Sequence, residues 1–243
     1  MSQQPLGPDA LRKAVGGAHV TGTEGSDFTI GTDAPDAIIL GAGNDYAEGR
    51  GGNDYIEAGA GNDEVYGDAG DDTIITGVGN DFAAGGTGND YIEGNDGDDV
   101  ILGDAGNDAL VGGAGHDIIV GGDGADYLQG DTGNDTLIGG HNDRASDVAL
   151  GGEGNDTYVW GLGGGNDYFD GGNGHDTLSL TGISMSDLRQ GLQVYTPGLQ
   201  MTEMSNGSIL FVNAQGEAQP FSGQITIGGE TVRFDNVETV RLA

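Results

Sequence analysis

Gly112-Gly113-Ala114-Gly115-His116-Asp117-Ile118-Ile119-Val120 is one of thirteen nonapeptides that run from Gly22 to Ile138 without insertion or deletion. A short fixed period is read before any other feature, because each unit buries its apolar residue only by stacking on its neighbours. The sixth place is Asp in every copy: Asp27, Asp36, Asp45, Asp54, Asp63, Asp72, Asp81, Asp90, Asp99, Asp108, Asp117, Asp126 and Asp135. The fourth place is Gly except at Ala34, and the eighth is apolar except at Thr29. The pattern continues less strictly through Asp147, Asp156, Asp167 and Asp176, after inserts of three residues near Asn142 and two near Gly163.

Places one to six are rich in Gly, Asn and Asp, which tolerate positive φ and tight turns. Places seven to nine, such as Tyr91-Ile92-Glu93, predict a three-residue strand whose middle side chain points one way and whose neighbours point the other. Two repeats then make one coil, and successive coils stack as two parallel sheets around a thin apolar filling. Odd repeats place Asp27, Asp45, Asp63, Asp81, Asp99, Asp117 and Asp135 on one edge, and even repeats place Asp36, Asp54, Asp72, Asp90, Asp108 and Asp126 on the other.

Coils stack at roughly 4.8 Å, the spacing of strands in a sheet. Like charges at that distance repel by about 1 kcal/mol in water and several-fold more at an interfacial dielectric. Such a row does not stack bare. Divalent hard cations solve the problem, and Ca²⁺ accepts carboxylates together with the backbone carbonyls that glycine turns expose. The formal charge of −33 and the lack of cysteine agree, since no disulfide is available to staple the fold. That charge also excludes nucleic acid as a partner.

The nonapeptides, thirteen of them in phase, resemble those of the RTX (repeats-in-toxin) family, over about residues 22–179. The resemblance implies an all-β fold, a right-handed parallel β-roll, with multiple Ca²⁺ ions between the loops of adjacent coils. Carried onto this chain, the ligand positions are the thirteen Asp above with Asp147, Asp156, Asp167 and Asp176. The segments Gly182–Leu188 and Val232–Val240 are similar to the carboxy-terminal parts of haemolysin-type proteins. They imply a small β-rich cap over 180–243, carrying an uncleaved signal near 190–243 for the type I secretion machinery.

The ends of the chain are less regular. Asp9–Val15 followed by Gly16 predicts a short helix in the lead-in, 1–21, placed to cover the first coil. Met1–Val20 has no apolar run typical of a cleaved signal peptide, and no stretch is long enough to span a membrane. Thr29, Thr32, Ala34 and Pro35 make the first two repeats a worn end coil, where calcium ligation is expected to fail first. The insert Gly139–Asp147, with His141 beside Asp143, is expected to bulge from one turn. In the cap, Leu192–Tyr195, Ser208–Val212, Gln224–Ile227 and Glu230–Phe234 read as strands.

No catalytic motif is present. There is no His-Glu-x-x-His zinc helix, no Gly-x-Ser-x-Gly elbow, no cysteine and no phosphate loop, and Lys13 is the only lysine. The chain therefore reads as non-enzymatic and secreted, a calcium-folded structural or adhesion protein. The alternatives are a glycan-binding module, through Tyr55, Tyr91 and Tyr127 on one outer face, or an accessory module of an extracellular enzyme. Val100, Leu102, Ile118 and Val120, with Thr136 and Ile138, form an apolar outer patch. The patch is expected to be covered, by the carboxy-terminal domain folding back or by a second copy of the chain.

Overall fold

The computed structural model describes residues 11–13, 17, 19–140, 143–204 and 208–243. Two long sheets run along the molecule, one of thirteen strands and one of twelve. Odd repeats occupy the first and even repeats the second, each strand pairing in parallel with the strand two repeats away. The fold is all-β apart from one short helix, Met185–Gly191.

Within the nonapeptide array most strands are six residues long, not three, as in Tyr91–Asp96 and Val100–Ala105. Places seven to nine run on into places one to three of the next repeat, so the turn itself is compressed into places four to six. The glycine-rich second place stays within the strand because it takes positive φ there without leaving the ladder. Non-glycine residues at that place, Asp68 (φ 72°), Asn95 (76°) and Asp104 (71°), are mostly the Asp and Asn that tolerate this region best.

The fourth-place glycine has a different cause, set by stacking. Gly97 has φ 141°, and a Cβ there would stand 1.5 Å from the carbonyl oxygen of Gly79 in the preceding coil. Gly97→Ala is therefore expected to destabilise the roll by at least about 1–3 kcal/mol, the usual cost of a strained backbone position. Denaturant unfolding of the calcium-loaded variant checks this.

Eighth-place side chains fill the interior in two facing columns. Ile38, Ile56, Ile74, Ile92, Leu110 and Leu128 come from one sheet; Thr29, Ala47, Val65, Ala83, Ile101, Ile119 and Leu137 come from the other; all are buried. The filling thickens toward the carboxy-terminal end, where Tyr158 stacks on Phe169 with ring centroids 5.3 Å apart. The three-residue insert leaves the stack unbroken, since Tyr127 still pairs with Val148. Asp143 anchors the bulge by accepting a hydrogen bond from the Gly124 N–H at 2.9 Å. His141 lies outside the described residues.

Two expectations are corrected. Leu11–Lys13 is a strand paired in parallel with Phe28–Ile30, not part of a helix. Ladder hydrogen bonds along an open sheet edge outweigh the helical propensity of so short a segment. The other residues of the expected helix, 9–10 and 14–16, lie outside the described set. The carboxy-terminal domain does not fold back along the outer face of the odd sheet. Its strands Glu230–Val237 and Thr239–Leu242 add in parallel to Asp167–Gly174 and Thr177–Thr181, as one more coil. Antiparallel strands Phe221–Ile227 and Ser208–Val212 follow, and Leu192–Val194 and Gln200–Glu203 form the outermost strands of the two sheets at this end. Open edges at the last coil attract pairing more strongly than a sheet's side-chain face does. Ile118 accordingly stays 44% exposed.

The helix Met185–Gly191 was not expected. Its cap, Ser184, accepts the N–H of Asp187, the local signature of a helix start. Among the described residues no helix is long and apolar enough to cross a membrane.

Candidate calcium sites

The sixth-place aspartates are buried, and the turn geometry explains why. Each Asp backbone N–H donates to Oδ1 of the Asp one coil further on. Along the odd edge Asp27, Asp45, Asp63, Asp81, Asp99, Asp117, Asp135, Asp156 and Asp176 are joined this way. Along the even edge the chain is Asp36, Asp54, Asp72, Asp90, Asp108, Asp126, Asp147 and Asp167. The two inserts are absorbed, with Asp126 to Asp147 at 3.0 Å and Asp147 to Asp167 at 3.1 Å. All seventeen predicted positions thus fall on two continuous carboxylate rows.

The second carboxylate oxygen has no such partner. Fourteen of these Oδ2 atoms, from Asp45 to Asp156 and again at Asp176, are buried without a hydrogen-bond donor. In eleven of these turns the first place is Gly, and Oδ2 lies against its bare Cα; in the turns of Asp45, Asp63 and Asp81 the first place is Leu40, Ala58 and Thr76. A Cβ on Gly94 would stand 2.3 Å from Asp99 Oδ2 and 2.6 Å from the carbonyl oxygen of Gly112; on Gly103 the corresponding distances are 2.4 Å to Asp108 Oδ2 and 2.5 Å to Gly121 O. A carbonyl oxygen has two lone pairs, so one ladder hydrogen bond still leaves it one to offer. Two acceptors converging on a buried space with no donor between them fit a hard cation and little else. The residues present therefore suit Ca²⁺: carboxylates from the turns, carbonyls from the adjoining coil. No three His, Cys, Asp or Glu side chains gather at one point among the described residues. Carbonyl ligands make such a cluster unnecessary.

The electrostatics agree. Burial, partly offset by the donated N–H and reinforced by neighbouring carboxylates, pushes Asp54, Asp90 and Asp117 up to about 7. Asp63, Asp99, Asp108 and Asp126 are pushed up to about 6 for the same reasons. Without a cation the rows resist ionising.

Three turns satisfy their carboxylate with protein groups. Asp27 Oδ2 accepts from the Thr23 N–H at 2.6 Å and hydroxyl at 2.9 Å. Asp36 Oδ2 accepts from the Thr32 N–H at 2.7 Å and hydroxyl at 3.1 Å. Ala34 avoids positive φ there, because Thr32 Oγ1 accepts its N–H at 3.2 Å and reshapes the turn. Asp167 Oδ2 accepts from the buried Tyr158 hydroxyl at 2.9 Å. Tyr158→Phe leaves that oxygen without a donor, and a loss of about 1–3 kcal/mol in denaturant stability is expected.

The odd row ends on a residue that sequence reasoning missed. Glu238 Oε2 accepts the Asp176 N–H at 2.7 Å, taking the role of the next aspartate. A Cβ on Gly171 would stand 2.4 Å from Asn236 O and 2.6 Å from Asp176 Oδ2, so the carboxy-terminal strands complete the last turn. The signal was present: Glu238-Thr239-Val240 is a sixth-to-eighth-place triplet with Glu for Asp, and Val240 pairs with Leu178. Fifth-place residues form an outer ladder of their own. His116 fits it because its Nδ1 accepts the Asn134 N–H at 2.8 Å.

A parallel solenoid whose turns carry two buried carboxylate rows is a β-roll. The model of the RTX calcium-binding nonapeptide repeat matches residues 21–56, 48–83, 75–110, 84–119, 111–143, 120–158 and 162–178, and the chain belongs to that family. No curated protein matches the chain. Among solved structures it is similar to the extracellular lipase LipA from Serratia marcescens, at 17% identity and a TM-score of 0.28. That match covers 90% of this chain and 40% of the lipase, so the chain spans well under half the length of that protein.

Proposed function

We propose that the chain is a secreted, non-catalytic protein with a structural or adhesive role, whose roll folds on meeting extracellular calcium. The observation that carries this is the row of buried Oδ2 atoms without donors, in a fold whose interior is only one side chain deep from each sheet. Calcium sites of extracellular modules work at about 10⁻⁴–10⁻³ M. The same range would keep the chain unfolded, and so exportable, inside a cell. In this scheme the region 190–243 engages the type I secretion machinery and then caps the roll. The test is the calcium midpoint of folding. A midpoint in that range supports the scheme, and one at submicromolar calcium defeats it.

Each ion joins two coils, so position matters. Asp117→Ala, between Asp99 and Asp135 in the odd row, is expected to disturb two sites, and Asp27→Ala, at the first turn, one at most. Calcium titrations followed by circular dichroism should show the larger rise in midpoint for Asp117→Ala. Equal shifts would argue against ions shared between coils.

A specific observation also favours glycan binding as a second function. Tyr55, Tyr91 and Tyr127 recur every second coil of the even sheet and are 36–39% exposed. Their hydroxyls donate to Glu57, Glu93 and Gln129 at 2.8–3.0 Å, which ties each ring to the residue two places along its own strand. Rings fixed in this way can stack sugars. Binding on a glycan array, lost in Tyr91→Ala, would support this function, and an inert array would oppose it. Self-association through Val100, Leu102, Ile118 and Val120 is proposed for the odd face. Val100→Lys with Val120→Lys should then shift sedimentation toward the monomer.

A further inference from the structure

The inward first place of the odd repeats is not uniform. It is Gly at Gly94, Gly112 and Gly130, but Leu40, Ala58 and Thr76 stand there in three successive coils. All three are buried, at 1%, 0% and 1% exposure. On the even edge the same place is Gly throughout, at Gly31, Gly49, Gly67, Gly85, Gly103 and Gly121.

The first-place Cβ position matters because it is where the acceptors converge. At Gly112 it lies 2.3 Å from Asp117 Oδ2, and at Gly130 2.4 Å from Asp135 Oδ2 with Gly151 O at 2.7 Å. In the repeat register Leu40, Ala58 and Thr76 carry real side chains into the equivalent space beside Asp45, Asp63 and Asp81. Thr76 also takes up the carbonyl. Its Oγ1 donates to Gly94 O at 3.0 Å, the oxygen that the next coil offers at this point. Leu40 and Ala58 instead join the apolar core.

We propose that Leu40, Ala58 and Thr76 are side-chain plugs that keep calcium out of the odd-edge turns of Asp45, Asp63 and Asp81. These turns stay ion-free at calcium concentrations that saturate the rest. The early roll is therefore loaded along its even edge alone, and the later roll along both. Asp45, Asp63 and Asp81 also bury their Oδ2 without a donor, so on the plugged edge apolar packing must offset three unpartnered oxygens that no ion reaches. This rests on the calcium-folded scheme above, which fails separately if the wild-type chain binds no calcium at all.

The experiment counts calcium ions bound to the full chain at saturation, by equilibrium dialysis and elemental analysis. Thr76→Gly opens one plugged turn, and the count is expected to rise by about one. Gly94→Thr plugs an open turn, and the count is expected to fall by about one. Circular dichroism at saturating calcium establishes that each variant folds. If Thr76→Gly leaves the count unchanged, the proposal is wrong. Should either variant fail to fold, anomalous diffraction from wild-type crystals grown in calcium decides. Ions beside Asp99 and Asp117 with none beside Asp63 and Asp81 uphold the plugs, and ions beside Asp63 and Asp81 overturn them.

Discussion

Removing calcium is expected to cost the chain its β-structure. Each edge stacks carboxylates at roughly the 4.8 Å strand spacing, where like charges repel by about 1 kcal/mol in water and more at an interface. Against this the thin interior offers one eighth-place side chain per repeat, several of them as small as Ala47 and Ala83. The described fold therefore has fourteen buried oxygens that water cannot reach and no protein group satisfies. Far-UV circular dichroism in chelator should show mostly coil, and returning calcium should restore the β signal over a narrow concentration range. The steepness follows from each ion linking two coils, so that one bound ion prepares the next site. A β spectrum unchanged by chelation would sink the idea.

The second large effect is a reversal of pH dependence between the calcium-free and calcium-loaded chain. Burial raises the carboxyls of Asp54, Asp90, Asp147 and Asp156 to about 7, well above the ordinary value of 3.8. A carboxyl raised on folding binds more protons in the folded state. Its contribution to stability is present below the ordinary value and is lost as pH rises toward 7. Calcium-free chain should thus be more ordered at pH 5 than at pH 8. With calcium the sign inverts, because bound carboxylates must be deprotonated and acid competes with the ion. The calcium midpoint should rise as pH falls below about 7. Circular dichroism of dialysed protein at both pH values checks the first half, and calcium titrations at those pH values check the second. Less β-structure at pH 5 than at pH 8 without calcium would contradict it.

The roll was legible because its cause is periodic. Asp at every ninth residue and an apolar side chain two places later suffice to divide the repeats between two sheets, and the register Ile92↔Leu110 is what eighteen residues per coil require. Strand length was not legible, since glycines at places one to three look like turn residues although their backbone pairs across coils. The helix expected near Leu11 failed because an unpaired sheet edge is a tertiary feature that local propensity does not contain. Glu238 was hidden by one extra methylene in the repeating residue and by the distance of its segment from the array. Thr32 was read as a sign of a worn coil, and Thr23 was not singled out. Their hydroxyls in fact supply the donors that the other turns lack.

The most direct test of the account is to locate calcium itself, by anomalous diffraction from crystals grown in calcium. The account predicts a row of ions in the turns of Asp72, Asp90, Asp108 and Asp126 on one edge, and a second row in those of Asp99, Asp117 and Asp135 on the other. An intact roll whose turns hold no ion at these carboxylates would contradict it.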